Sequence, residues 1–116
     1  MSVFQLEEWW GHHISSGNEE FDLGCLAIGN VDNASPPTNK IVVGSMEGVI
    51  RVYNPTHPKF RVEDLLVEEP LNLPILQILL GHFIPAMPNG VGLAVLHPRK
   101  LIVYEVAAQG MLHTSK

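Results

Sequence analysis

Short apolar runs separated by polar turns make up most of the chain after residue 20, and they alternate with the two-residue period of a β-strand. The stretch KIVVGSMEGVIRVYNP, residues 40–55, holds two such runs on either side of a short turn that contains Gly48. Both runs are rich in Val, Ile and Tyr, which favour strands. The stretch therefore predicts a β-hairpin, in which the first, third and fifth residues of VIRVY share one face.

A similar hairpin recurs further along the chain. VVGSMEGVIRVY and AVLHPRKLIVY are both an apolar strand, a short polar turn and an apolar strand that ends in Val-Tyr, and Tyr53 and Tyr104 stand 51 residues apart. That spacing is close to one blade of a β-propeller, a repeat of roughly 40–50 residues that forms four antiparallel strands. The fold class predicted is therefore all-β, a partial β-propeller of just under two four-stranded antiparallel blades with a short N-terminal helix.

The pattern sets the boundaries of the predicted elements. Residues 1–20 form an N-terminal helix and loop, and residues 21–116 form the first blades of a truncated N-terminal propeller. The first blade has strands at 21–31, 40–45, 49–54 and 62–68, and the second at 73–83, 91–97 and 100–107, with its fourth strand missing. Two blades do not close a ring, because propellers typically have four to eight. We therefore expect a fragment, an isoform or a piece held by a partner.

The helix is predicted from the segment SVFQLEEWWGHH. Ser2 and Gln5 fit a capping box, two glutamates follow in the first turns, and Gly11 is a plausible end. Trp9 and Trp10 in this segment have two interpretations. Either they pack the helix onto the first blade, or an exposed Trp anchors another subunit, since Trp is enriched in binding hot spots.

Composition narrows the class of partner. The chain has 116 residues, 46% of them apolar, and a net charge of −5, which argues against a nucleic-acid or acidic membrane surface. A single cysteine, Cys25, favours a reducing compartment. The sequence shows neither a signal-peptide pattern nor an apolar run long enough to span a bilayer. These features predict a cytosolic location.

Candidate chemistry is sparse. His12 and His13 are adjacent, which is a poor arrangement for one metal ion, and Cys25 lies in an apolar run that predicts a buried, inert thiol. Acidic pairs occur at 7–8, 19–20 and 68–69 and are interpreted as solvated edges rather than catalytic pairs. Gly44 and Gly48 are interpreted as packing and turn residues, not as a phosphate cradle. We predict no catalytic residue, no cofactor and no metal site.

Several long stretches resemble one family closely. They are VFQLEEWW, DLGCLAIGNVDN, KIVVGSMEGVIRVYNP, EDLLVE, PILQI and LAVLHPRKLIVYEV. These stretches resemble the N-terminal region of the parathyroid-hormone-responsive family of BBSome subunits. The resemblance runs from Met1 to about Val106, whereas AAQGMLHTSK does not look like the family's continuation.

The resemblance implies a non-enzymatic scaffold whose N-terminal propeller continues well beyond residue 116. The family's partners would be the other BBSome subunits and, indirectly, ciliary membrane-protein cargo and a small Arf-like GTPase, with no nucleic acid. Membrane association would be peripheral and only through the complex. The implied locations are the cytoplasm, the cilium and its membrane, the basal body and centriolar satellites. The alternatives are a propeller scaffold of another coat or tethering complex, or a ligand-binding propeller.

Overall fold

Eight strands and one 3-10 turn account for the regular structure in this computed structural model, which describes residues 5–14 and 17–106 and the backbone of 112–115. The 3-10 turn is Val62–Asp64 and precedes β4. The strands are β1 Leu26–Gly29, β2 Lys40–Gly44, β3 Val49–Tyr53, β4 Leu65–Pro70, β5 Gln77–Gly81, β6 Gly92–His97, β7 Lys100–Val106 and β8 Leu112–Ser115.

The strands form two four-stranded antiparallel sheets in chain order, which confirms the all-β, blade-like fold. Sheet 1 is β1-β2-β3-β4 and sheet 2 is β5-β6-β7-β8. The prediction that the second sheet lacks its fourth strand is wrong, because β8 pairs with β7 from Val106 opposite Leu112 to Val103 opposite Ser115. This pairing satisfies backbone groups that β7 would otherwise leave open at the sheet edge.

The core lies between the facing sides of the two sheets. On sheet 1 a row of valines crosses three strands, with Val42 opposite Val52 and Val52 opposite Val67, and all three are buried. On sheet 2 the matching side chains are Ile78, Leu80, Leu93, Val95 and Tyr104. We call these sides the core faces and the opposite sides the outer faces. Alternation along each strand assigns its residues to one or the other.

Close approach of β1 and β2 to the start of sheet 2 depends on glycine. A Cβ on Gly44 would lie 2.7 Å from Cγ2 of Ile75, which is fully buried. Backbone bonds join the sheets at the same place, since the amide of Ile78 donates to the carbonyl of Gly24 at 2.8 Å. The thiol of Cys25, 2% exposed, donates to the carbonyl of Ile75 at 3.1 Å. The packing role predicted for Gly44 and the burial predicted for Cys25 are confirmed.

Polar side chains fasten the loop after β1. Asn33 donates from Nδ2 to the carbonyl of Val91 at 3.2 Å and accepts from the amide of Val91 at 2.7 Å. The fully buried Lys40 places Nζ 2.8 Å from Oδ1 of Asp32 and 2.9 Å from Oδ1 of Asn30. Because each buried donor meets an acceptor, this loop closes one end of the sheet pair without unpaired charge.

The short N-terminal helix is the part of the fold prediction that is wrong. Residues 5–14 contain no helix, and residues 1–4 of the prediction lie outside the described residues. A lone short helix is marginal in water. The side chain of Trp10 instead reaches sheet 1, as described below. Within the described residues, no helix is long and apolar enough to cross a bilayer.

A substitution at Gly48 tests the importance of the turn between β2 and β3 for stability. Its φ is +93°, and a Cβ there would lie 2.7 Å from the carbonyl oxygen of Leu73. Gly48→Ala should lower the free energy of unfolding by about 1–2 kcal/mol through backbone strain and by about 1–3 kcal/mol more through overlap, measured by urea unfolding. Gly17→Ala is the matched control, because Gly17 has a φ of +103° but no atom within 4 Å of its Cβ position. Equal losses would contradict the contact with Leu73.

Candidate functional site: the cluster beneath the N-terminal strap

Residues 5–14, which we call the strap, reach the outer face of sheet 1. Trp10 donates from Nε1 to Oδ2 of Asp64 at 3.0 Å and meets the ring of Tyr53 edge-on, with centroids 5.8 Å apart. The ring of His12 stacks on Phe60, with centroids 3.7 Å apart and planes 16° apart. The strap is therefore held by aromatic contacts and one charge-assisted hydrogen bond rather than by helical structure.

Asp64 is the polar centre of this attachment. It ends the 3-10 turn before β4 and is fully buried. Burial opposes its ionisation, but hydrogen bonds from Trp10, the amide of Arg61 and the hydroxyl of Thr56 outweigh that effect and lower the pKa of the carboxyl. The stabilisation from this carboxylate is present above its unfolded pKa of about 3.9 and is lost as the pH falls through the lower folded value.

The neutral form of the His12 imidazole is favoured where the ring stacks on Phe60. Burial lowers the pKa of the imidazole, and the positive charges of His13 and Arg51 lower it further. The unfolded chain therefore binds a proton more readily than the folded one. The contribution of this group to stability is complete above the unfolded pKa of about 6.5 and declines as the pH falls below it.

Arg51 forms the second anchor of the N-terminal region, from the middle of β3. Its Nη1 and Nη2 donate to the two carboxylate oxygens of Glu19 at 3.0 and 2.7 Å, and its Nε donates to Glu68 at 2.7 Å. The hydrogen bonds to Glu19 raise the pKa of Arg51, and the same bonds lower the pKa of Glu19. The bidentate geometry fixes the position of Glu19 as well as its charge.

The interpretation of residues 19–20 as a solvated edge is wrong for Glu19. Its side chain is only 15% exposed and pairs with Arg51, whose side chain is 8% exposed. The side chain of Glu68 is 52% exposed, as a solvated edge predicts. A buried arginine is costly without a charged partner. Arg51 on β3 is therefore paired with Glu19, which lies 32 residues earlier in the chain.

The two tryptophans predicted as partner contacts have different environments. Trp10 is half-buried and hydrogen-bonded to Asp64, whereas Trp9 is 55% exposed. Both line a groove of about 640 Å³, together with Leu6, Glu7, Glu8, Ile41 and Pro55. Leu6, on the strap beside them, is fully exposed. Trp9 and Leu6 thus present apolar surface to solvent, and the partner-contact prediction now concerns Trp9 in particular.

The charged groups beneath the strap are paired within the chain. Arg51 is paired with Glu19, and Asp64 accepts hydrogen bonds from neutral donors, the indole of Trp10 among them. Across residues 5–14 and 17–106, no three His, Cys, Asp or Glu side chains lie together in a way that could hold a metal ion. Burial raises the pKa of the Cys25 thiol, which keeps it in its less nucleophilic form.

Comparison with known proteins places the chain in a family. The model for the PTHB1 N-terminal region matches residues 1–116. The chain belongs to the PTHB1 N-terminal family. It is 44% identical to Protein PTHB1 of Homo sapiens over 112 residues, 43% identical to that of Xenopus laevis over 112 residues, and 41% identical to that of Mus musculus over 111 residues. The family resemblance inferred from the sequence is thereby confirmed.

The relatives are much longer than the region they share with this chain. Each match covers 92% of this chain but only 12–13% of the relative. The chain therefore spans about an eighth of the length of the curated PTHB1 proteins it matches.

The ion pairs of Arg51 provide a matched test. Glu19→Gln should lower the free energy of unfolding by about 1.5–3 kcal/mol, because it weakens hydrogen bonds to a buried charge. Glu68→Gln should cost less than about 1 kcal/mol, because that carboxylate is half exposed. Urea unfolding of the two variants measures the difference. If both losses were small and alike, Glu19 would not anchor the N-terminal region.

Proposed function

We propose that this chain supplies the first blades of an N-terminal propeller in a scaffold subunit of the BBSome. The subunit acts through protein–protein contacts and has no catalytic role. The observation that carries the proposal is the match of the whole chain to the PTHB1 N-terminal family. The charged groups beneath the strap, Arg51, Glu19 and Asp64, support the proposal. They form an ion pair and a hydrogen bond within the chain and present no reactive group.

The arrangement of the sheets also supports a scaffold. Repeat units of this kind bury a face against each neighbour. Sheet 2 leaves large apolar side chains exposed on its outer face, namely Leu79, Leu96 and Leu101. A longer propeller would cover them with the next blade. On this proposal the chain contributes to a rigid ring that presents loops and edges to other subunits.

The proposed partners follow from the family. They are the other BBSome subunits and, through the complex, ciliary membrane-protein cargo and a small Arf-like GTPase. Peripheral membrane association occurs only through the complex. The protein is then expected in the cytoplasm, at the ciliary membrane, at the basal body and in centriolar satellites.

Co-purification tests the proposed function. The full-length protein that contains this chain, tagged and expressed in ciliated cells, should recover the other BBSome subunits, identified by mass spectrometry. If the subunits of a different coat or tethering complex were recovered instead, the protein would be a scaffold of that complex and not of the BBSome. Recovery of neither set would remove the scaffold proposal.

The tryptophans provide a paired test of the partner surface in the same full-length protein. Trp9→Ala should reduce the recovery of a partner subunit and leave the melting temperature nearly unchanged, because Trp9 is 55% exposed. Trp10→Ala should lower the melting temperature, because it removes the ring contacts with Tyr53 and Phe60. Unchanged recovery for Trp9→Ala would exclude Trp9 as an anchor.

A further inference from the structure

The groove between the strap and sheet 1, which we call the strap groove, presents apolar side chains to solvent. It measures about 640 Å³, within the range of about 300–1,000 Å³ that is typical of binding pockets. Its apolar lining comes from Leu6, Trp9, Trp10, Ile41 and Pro55. Leu6 is fully exposed and Trp9 is 55% exposed, so this lining is suited to contact with apolar groups of another molecule.

The charged side chains that line the strap groove are both acidic. Glu7 and Glu8 are exposed, and neither forms an ion pair within the described residues. Among those residues, no Lys, Arg or His lines the groove. The carboxylates beneath the strap differ, because Glu19 and Asp64 already have partners in the chain. Glu7 and Glu8 are therefore available to cationic groups of another molecule.

The strap groove lies at the ends of the strands of sheet 1. Its residues from the sheet are Ile41, at the beginning of β2, and Pro55, just after β3, and the strap supplies the rest of the lining. In a propeller, neighbouring blades pack on the flat faces of a blade, and the strand ends form the two surfaces of the ring. The groove therefore lies at a surface of the proposed ring and not between two blades.

The wall of the strap groove is fixed before a partner binds. Trp10 donates a hydrogen bond to Asp64 and packs on Tyr53, and His12 stacks on Phe60. These contacts hold the strap on sheet 1 within the chain itself. Binding then does not have to order the strap, and such pre-organisation lowers the entropic cost of association.

We propose that the strap groove binds a basic segment of a partner protein, in which an apolar side chain is flanked by arginine or lysine. The apolar side chain packs against Leu6 and Trp9, and the cationic groups meet the two glutamates. Arginine suits the groove best, because a guanidinium group both stacks on the face of a Trp ring and pairs with a carboxylate. The same carboxylates repel an acidic peptide, a nucleic acid or an anionic membrane. The inference rests on the proposed contact role, since it names the kind of segment that Trp9 meets.

Site-specific photo-cross-linking tests the composition of that segment. A benzophenone amino acid replaces Trp9 in the full-length protein that contains this chain, expressed in ciliated cells, and mass spectrometry identifies the cross-linked peptide. The control carries the same amino acid in place of Val62, which is 81% exposed and does not line the groove. The cross-link from position 9 should map to a partner segment with several Lys or Arg, and the control should not map there. A cross-link confined to the same polypeptide, no cross-link, or a segment without an excess of basic residues would overturn the proposal.

Charge reversal measures the contribution of the two acidic side chains. Glu7→Lys combined with Glu8→Lys should lower the recovery of the cross-linked partner by about five- to tenfold, because two attractions become repulsions. Glu63→Lys combined with Glu69→Lys is the matched control, because it makes the same change in net charge at exposed positions outside the groove. Recovery with the control should stay unchanged, and melting temperatures confirm that both variants are folded. Equal losses in the two double variants would overturn the groove as the binding site.

The outcomes separate this inference from the proposed function. If Trp9→Ala lowers the recovery of a BBSome subunit but the charge reversal does not, the scaffold role stands and the basic segment is excluded. If position 9 cross-links a basic segment of a protein outside the BBSome and no BBSome subunit is recovered, the inference stands and the proposed BBSome role fails.

Discussion

The contact between the two sheets is the constraint on which the rest of the structure depends. A four-stranded antiparallel sheet of this size cannot bury its apolar side chains alone, and here each sheet uses the other. Gly29 and Gly44 allow Leu80, Ile75 and Ile78 to come within contact of the sheet 1 backbone. The hydrogen bond from the amide of Ile78 to the carbonyl of Gly24 then fixes the position of β5 along β1. Both apolar burial and backbone pairing act at the same strands, so the sheets meet in one arrangement.

The strap shows how tertiary partners override local preference. Its sequence has the signals of a helix start, yet a short lone helix gains little free energy in water. The alternative conformation places the indole N–H of Trp10 on a buried carboxylate and its ring against Tyr53. Glu19 attaches the N-terminal region to sheet 1 at a second point, where its carboxylate accepts two hydrogen bonds from Arg51. Because Asp64 and Arg51 are buried charged groups, each would be costly without its partner, and this requirement selects the path of the N-terminal region.

Alternation in the sequence predicted the strands and faces but not the long-range polar pairs. VIRVY and LIVYEV follow the period of a strand closely, and the repeat of Tyr53 at Tyr104 revealed the two blades. The pairs Trp10–Asp64 and Arg51–Glu19 span 54 and 32 residues, and no local pattern indicates which acid meets which donor. The fourth strand of sheet 2 was missed because AQGMLHTSK has no apolar alternation; its pairing depends on the open edge of β7.

The two outer faces differ, and the difference gives the sheet pair a direction. The outer face of sheet 1 carries charge at Arg51 and is covered in part by the chain's own N-terminal residues, as in the capping units of repeat arrays. The outer face of sheet 2 carries leucines at the matching strands and has no such cover among the described residues. A further sheet gains more by packing on the leucine face, where no ion pair has to be desolvated. Packing of a further sheet on the leucine face would therefore cost less desolvation than packing on the strap side, because the buried charges lie beneath the strap.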